Sequence, residues 1–351
     1  MPFSVSILKK LDDFTLNVKF ETGQNDFMAL LGVSGAGKTA VLRCIAGLDA
    51  PDRGRIVFND RVLFDSEKKI NLPPQKRRIG MIFQRSALFP AQTVRQNLIT
   101  AAQGVSRKER DQAVDRRLRA FRLDAVADRY PRQLSPNQIR RASLARALLA
   151  NPEALLLDEP FSALDSHLRW QAELELAEAL RSFPGDALLA SQDRGEVFRL
   201  CDSVCVLTEG HCEKKMSVQQ LMTAPGTVSA ALVSGCKNFS RVKRVDARHI
   251  RCLNWGMTLE TAVDVPSVTT YVGVHAHSIH AAAGGEPNRF DARVARVIED
   301  TNSTILMLAP EGGNTMLRME LSREEWAALR TPDVLLLSVA PAQIILLTGE
   351  L

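Results

Sequence analysis

Two short stretches of this sequence carry residues whose types and spacing suit phosphoryl chemistry. The first, GVSGAGKT, sets Gly32, Gly37, Lys38 and Thr39 at the spacing G-x-x-x-x-G-K-T. A loop running from Gly32 through Val33, Ser34, Gly35 and Ala36 to Gly37 lets successive backbone N–H groups turn inward around a phosphate at the start of a helix. Lys38 then reaches the outer phosphates of a nucleotide, and Thr39 offers its hydroxyl to Mg²⁺. The second stretch, ALLLDEP at 154–160, ends a buried apolar strand in two carboxylates. Asp158 can hold Mg²⁺ through water, and the adjacent Glu159 can orient or deprotonate an attacking water. An acidic turn after any strand gives the same Asp-Glu pair, so this reading depends on the glycine-rich loop.

The elements needed to position these groups are legible around them. FMALL before the loop is strand-like, and Val41, Leu42, Ile45 and Leu48 after it follow helical spacing, which gives strand, loop, helix. A chain of 351 residues with 45% apolar and 24% charged residues can bury real cores and is long enough for two domains. Its net charge of +5 is a mild excess that fits an anionic ligand or a membrane neighbourhood and does not separate phosphate from nucleic acid. MPFSVSILKKLDDF lacks a signal-peptide core, and VLLLSVAPAQIILL at 334–347 is too short and interrupted to span a bilayer, so a cytosolic chain is expected. The six cysteines form no CxxC pair and read as reduced, partly buried thiols.

The order of GVSGAGKT, GMIFQRSALFP (80–90), LSPNQ (134–138), LLLDEP (155–160), SALD (162–165) and SQD (191–193) resembles the ATP-binding cassette family. The resemblance implies an α/β P-loop ATPase over residues 1–235 with a helical subdomain at about 86–150. It implies ATP and Mg²⁺ as cofactors, with Thr39, Gln84 and Asp158 around the metal and Glu159, Gln84 and Gln192 at the reaction centre. Asp165 falls in the D-loop, and Phe14 stands where the family often stacks an aromatic on adenine, although a Phe in FTLNVKF also reads as core packing. Ser135, Asn137 and Gln138 would close over ATP held by a second copy of the chain. The implied partners are that second copy, membrane permease subunits on the cytoplasmic side of the inner membrane and, indirectly, an extracytoplasmic solute-binding protein; nucleic acid is not expected. RKERDQAVDRRLRAFRL reads as a charged amphipathic helix with a stripe at Ala113, Leu118 and Phe121, and Leu88 with Phe89 as an apolar contact pair.

Two positions depart from the family. LSPNQ stands where members usually carry LSGGQ, and Gln192 where they carry a histidine. Pro136 has no N–H to donate, yet Ser135 as N-cap, Pro136 at the first helical position and Gln138 completing S-x-x-Q still spell a helix start. Gln192 can donate an amide hydrogen but cannot titrate near neutrality. These departures open a second expectation, a nucleotide-dependent binding module with reduced turnover.

After residue 235 short alternating runs with Gly, Asn and Asp turns indicate an all-β domain over 236–351. YVGVHAHSIHAA (271–282) and LLSVAPAQIILL (336–347) are similar enough to suggest a duplicated small barrel. Residues 289–351 resemble the oligomer-binding-like barrels that bind molybdate in the ATP-binding subunits of molybdate importers. Molybdate is therefore the expected ligand of the tail and the expected cargo, with sulfate or a polyamine as the alternatives. Thr301, Asn302, Ser303 and Thr304 are candidates to line an oxyanion pocket, or form a polar turn. His275, His277 and His280 raise a metal reading, which a strand supports only for the first two.

Overall fold

The computed structural model describes residues 2–350 except 84–87, 103–105, 163, 182, 283, 331 and 332, with the backbone alone at 166 and 167. The chain divides into two compact units, Met1–Val218 and Gln219–Leu351. That division falls upstream of the change in sequence character at 235, because the helix Val228–Ser234 and the turn after it belong to the second unit.

In the first unit the apolar alternation of the N-terminus forms β1 (Phe3–Lys10) and β2 (Thr15–Glu21), whose inward residues Val5, Ile7, Leu16 and Val18 are buried. Then come β3 (Phe27–Leu31), α1 (Lys38–Ala46), β4 (Arg53–Phe58), β5 (Arg61–Asp65), β6 (Ile70–Asn71), α2 (Pro74–Arg77) and β7 (Ile79–Ile82). The helical insertion is α3 (Val94–Ala101), α4 (Arg107–Ala120) and α5 (Pro136–Leu149), and the chain returns through β8 (Ala154–Asp158), α6 (Ser166–Arg181), β9 (Asp186–Ser191), α7 (Arg194–Leu200), β10 (Ser203–Thr208), β11 (His211–Cys212) and β12 (Met216–Ser217). One sheet runs β6-β5-β4-β1-β2-β11-β10-β3-β9-β8-β7, with β12 paired to β10. Its segment β10-β3-β9-β8-β7 is parallel, and β8 and β9 are buried at every residue, as strands covered on both faces must be.

The loops at the C-terminal ends of these parallel strands are the natural ligand crevice of an open α/β sheet. The helical insertion has its own core, from Leu88 and Val94 to Val114, Leu118 and Ala142. The stripe of α4 is centred on Val114 and Leu118, with Ala113 only half-buried. Leu88 and Phe89 do not act as a pair: Leu88 is buried in that core, whereas Phe89 is exposed under the Arg146 guanidinium, 4.4 Å from its ring centroid.

The second unit begins with α8 (Val218–Thr223) and α9 (Val228–Ser234), followed by β13 (Asn238–Arg244), β14 (His249–Cys252), β15 (Met257–Glu260), β16 (Tyr271–Val274), β17 (Ile279–Ala281), β18 (Phe290–Glu299), β19 (Thr304–Pro310), β20 (Leu317–Leu321), α10 (Arg323–Ala328), β21 (Val334–Val339) and β22 (Ile345–Leu347). Two antiparallel sheets, β15-β14-β13-β16-β22 and β17-β21-β18-β19-β20, enclose one apolar core that includes Trp255, Val272, Leu306 and Leu337. This is the barrel-like all-β fold that the turn-rich sequence implied. Each of the two similar stretches is a strand, a 3₁₀ turn and a strand, and the strands are exchanged: β16 pairs with β22, and β17 with β21. Ser278 in one turn donates to Gln343 Oε1 in the other at 2.9 Å.

Candidate nucleotide site

The glycine-rich loop leaves the buried strand β3 and turns into α1. At Gly32 a Cβ would stand 2.3 Å from the Leu207 carbonyl oxygen, and Gly37 holds φ at 101° as the helix N-cap, so the chain can turn this tightly only with glycine. No side chain caps α1, which leaves its first N–H groups to the loop. Lys38 is buried, donates to the Gly32 and Val33 carbonyls at 2.9 Å each, and lies 3.4 Å from Glu159 Oε1. Thr39 donates its hydroxyl to Asp158 Oδ1 at 2.8 Å across 119 residues of sequence.

A cleft of about 370 Å³ runs over this group, lined by Ser34, Gly35, Lys38, Thr39, Arg43 and Glu159 among others. Its donor set fits Mg²⁺: a hydroxyl and a carboxylate oxygen sit side by side at a strand end. Burial pushes the Asp158 carboxyl up, opposed by the Thr39 hydrogen bond and raised further by Glu159. A bound cation reverses that pressure by favouring the ionised form. Glu159 has φ of 43°, a left-handed backbone that a non-glycine residue adopts at some cost, held by its N–H to Ala190 O at 3.0 Å.

Gln192 follows the end of β9 and is not among the residues lining the phosphate cleft; its own cavity shares Glu159 with that cleft. Gln192 is exposed and lines this small cavity of about 70 Å³ with Glu159, Ser162, Arg169 and Glu196. Phe14 is half-buried against the first unit's core and packs beside Gly37 and Gly210. Asp165 accepts from the Leu168 N–H at 2.9 Å and starts α6. Ser135 accepts from the Gln138 N–H at 3.3 Å while Gln138 Oε1 accepts from the Ser135 N–H at 2.9 Å, so the capping box is complete with Pro136 at the first helical position. Ser135, Asn137 and Gln138 therefore lie at the N-terminus of α5 and are not among the residues lining the phosphate cleft. Gln84 lies outside the described residues.

Sequence reasoning passed over three supports. Arg140 and Arg141 of α5 both bond Glu175 of α6, and Arg140 also holds Asn137 Oδ1 at 2.9 Å, which fixes the signature turn to the helix after the D-loop. Arg77, completely buried, donates to Leu72 O, Asn71 Oδ1 and the Cys44 and Ile45 carbonyls in the last turn of α1. Glu196 is buried beside Gln192, and desolvation, with the Asp193 and Glu173 charges, pushes its carboxyl up to about 7 against the Ser191 hydrogen bond and Arg169. The charged periodicity of α5 and α6 was the one available signal, since it puts Arg140 and Arg141 on a helix that must pack.

In the tail, Thr301 and Asn302 are exposed in the β18–β19 turn, Ser303 donates to Glu320 Oε1 at 3.0 Å, and Thr304 is buried. The imidazoles of His275 and His277 stack at 5.3 Å, whereas His280 turns to Glu286 at 3.1 Å. Among the described residues no group of three His, Cys, Asp or Glu could hold a metal ion.

A parallel sheet that brings a phosphate loop, strand-end carboxylates and a switch turn to one edge, with an inserted helical layer, is the fold of the ATP-binding cassette ATPases. Residues 15–162 match the ABC transporter family model, and this segment belongs to that family. The chain is 38% identical over 242 residues to the molybdenum import ATP-binding protein ModC of Rhodospirillum rubrum, a match that covers 66% of this chain and 65% of that protein. It is 36% identical over 222 residues to the Fe(3+) ions import ATP-binding protein FbpC of Haemophilus influenzae, covering 62% of each. Less than two thirds of either relative's length is thus spanned. A dimeric ATP-binding cassette solved in a post-hydrolysis state with ADP and Pi superposes with a TM-score of 0.53 at 25% identity, covering 62% of this chain and 98% of that one.

Proposed function

We propose that this chain is the ATP-hydrolysing subunit of a membrane importer, working as a homodimer with two shared ATP sites. The observation that carries this is the cleft lined by Lys38, Thr39 and Glu159, with Asp158 bonded to Thr39 at its edge. Loop N–H groups and Lys38 hold the phosphates, Thr39 and Asp158 hold Mg²⁺, with Gln84 as a further ligand, and Glu159 orients the attacking water. Gln192 donates to the γ-phosphate, Asp165 lies at the subunit junction and Phe14 faces the base. Ser135, Asn137 and Gln138 close over ATP on the second copy. When bound, Mg²⁺ would supply charge neutralisation for the phosphates.

Molybdate is the cargo we infer, supported by the relative named for molybdenum import and by the barrel-like tail. The Fe(3+) relative shows that the engine alone does not fix the cargo, so sulfate and polyamine importers stay as alternatives. The tail, residues 236–351 by its sequence character and built as a duplication whose oxyanion-binding part is 289–351, would take the same anion; the exchanged strands support the duplication. Permease subunits place the protein peripherally at the cytoplasmic face of the inner membrane, and among the described residues no helix is long and apolar enough to cross it. A binding module with impaired hydrolysis is not favoured: the relatives are import ATP-binding proteins, and reduced turnover has no support beyond the two departures themselves.

Purified full-length protein with Mg-ATP should release phosphate, and Glu159→Gln should stop the release while ATP still binds. Absence of release from the wild-type chain, alone and with its permease, overturns the ATPase reading. Calorimetric titration of the full chain with molybdate, tungstate and sulfate decides the cargo.

A further inference from the structure

Gln192 stands where the family carries its histidine, and an amide cannot exchange a proton near neutrality. An ionisable group nevertheless faces the same small cavity. Glu196, in the first turn of α7, lies across it from Glu159 and Gln192. Its Oε2 is 2.6 Å from the Ser191 hydroxyl oxygen, and that oxygen also accepts the Asp193 N–H at 3.0 Å and lies 3.4 Å from the Asp193 carbonyl oxygen. Gln192 is the residue between these two. The Ser191 carbonyl in turn accepts the Gly32 N–H at 3.2 Å, so one residue joins the switch turn to the first glycine of the phosphate loop.

A hydroxyl has one proton to give, and this allows two arrangements. With Glu196 ionised, Ser191 must donate to it and can only accept from the turn. With Glu196 protonated, the acid donates to Ser191, and the freed hydroxyl proton turns to the Asp193 carbonyl, drawing the turn together around Gln192. We propose that Glu196 is the positioning residue of the switch turn: its proton sets the direction of the Ser191 hydrogen bond and thereby how Gln192 faces Glu159 and the phosphate cleft.

This inference rests on the ATPase reading above. Glu196 faces Asp193 on its own helix cap, Arg169 at 3.9 Å and Glu173 from α6, the Cys201 thiol at the far end of α7, and Glu159 across the cavity. Glu173 is itself held by Arg199, so Arg169 is the cation nearest to offset Glu196. Ionising Glu196 adds an anion to a pocket that already holds Glu159 and Asp193, next to a cleft built for polyphosphate. The protonated state is therefore the one that favours turnover, and burial places the change near neutral pH.

The test is the pH profile of phosphate release by the full chain with saturating Mg-ATP, from about pH 5.5 to about pH 9. Wild-type turnover should fall through neutrality. Glu196→Gln, which keeps a donor toward Ser191 without a titrating proton, should remove that fall and exceed wild type roughly three- to tenfold at the alkaline end. Ser191→Ala should also flatten the limb while Glu196 remains, and Gln192→His added to Glu196→Gln should restore a titrating limb. A Glu196→Gln profile that runs parallel to wild type overturns the proposal. If the wild-type chain hydrolyses nothing at any pH, the ATPase reading has failed. The infrared C=O band of a protonated carboxyl, wild type minus Glu196→Gln, still decides on the chain itself: a band titrating near neutrality supports a proton at Glu196, and no such band overturns it.

Discussion

At the scale of single residues, the site is a set of short-range bonds with separate jobs. Thr39 and Asp158 share one hydrogen bond at the strand end, and Lys38 is fixed by loop carbonyls. Thr39→Val should therefore weaken Mg²⁺-dependent nucleotide binding by about tenfold or more and leave metal-free binding nearly unchanged, a contrast that fluorescence titration with and without Mg²⁺ resolves. Glu196 makes a different prediction. Its folded carboxyl holds a proton up to about 7, whereas an unfolded glutamate releases it near 4.5, so its favourable share is complete below the lower value. As pH rises from there to about 7, wild type should lose on the order of 2 to 3 kcal/mol relative to Glu196→Gln, then run parallel to it in urea titrations. The phosphate loop and the Asp-Glu pair were legible because each is a local motif with its strand and helix beside it. Glu196 was not, because its proton affinity comes from burial against α6 and β9, which no spacing along the chain records.

Elements carry the next level of cause. The capping box of α5 was readable from S-P-N-Q, and the structure builds it with both reciprocal bonds. Ser135→Ala should cost about 1 kcal/mol in denaturant unfolding, the usual value of a lost N-cap. Charge periodicity could place Arg140 and Arg141 on a packing helix but not name Glu175 as their partner, since the clamp joins residues 34 and 35 positions apart whose packing only the sheet decides. Glu175→Ala leaves the nearly buried Arg140 without its carboxylate and should cost about 3 kcal/mol, read from the same curves. Arg77 fastens α2, just ahead of β7, to the last turn of α1, so the strand leading to Gln84 and the helix of the phosphate loop share an anchor. Arg77→Met removes four hydrogen bonds, of whose acceptors the Cys44 carbonyl keeps the Gly47 N–H, and should lower stability by about 3 kcal/mol, without touching the cleft directly. Leu88 and Phe89 show the limit of reading apolar pairs: neighbours in a loop are split between core and surface by where the chain turns.

At the scale of the molecule, the sequence announced an α/β engine followed by a β-rich tail, and the structure is built that way. Composition placed the change at 235, whereas contacts place it at 218, because α9 is helical in pattern yet packs with Tyr271, Ile345 and Leu347. The tail's two similar stretches were visible as similar text. Their exchange of strands was not, since pairing between residues 56 to 76 positions apart leaves no mark on either stretch. That exchange has a consequence during synthesis. When β16 leaves the ribosome its partner β22 has not yet been made, and β17 likewise waits for β21, so neither half of the tail can close first. The engine can fold on the ribosome before the tail closes, while the tail holds only its earlier pairs β15-β14-β13-β16 and β18-β19-β20. A stalled chain ending before β21 should show a protease-resistant engine and a tail cleaved much faster than in the finished chain.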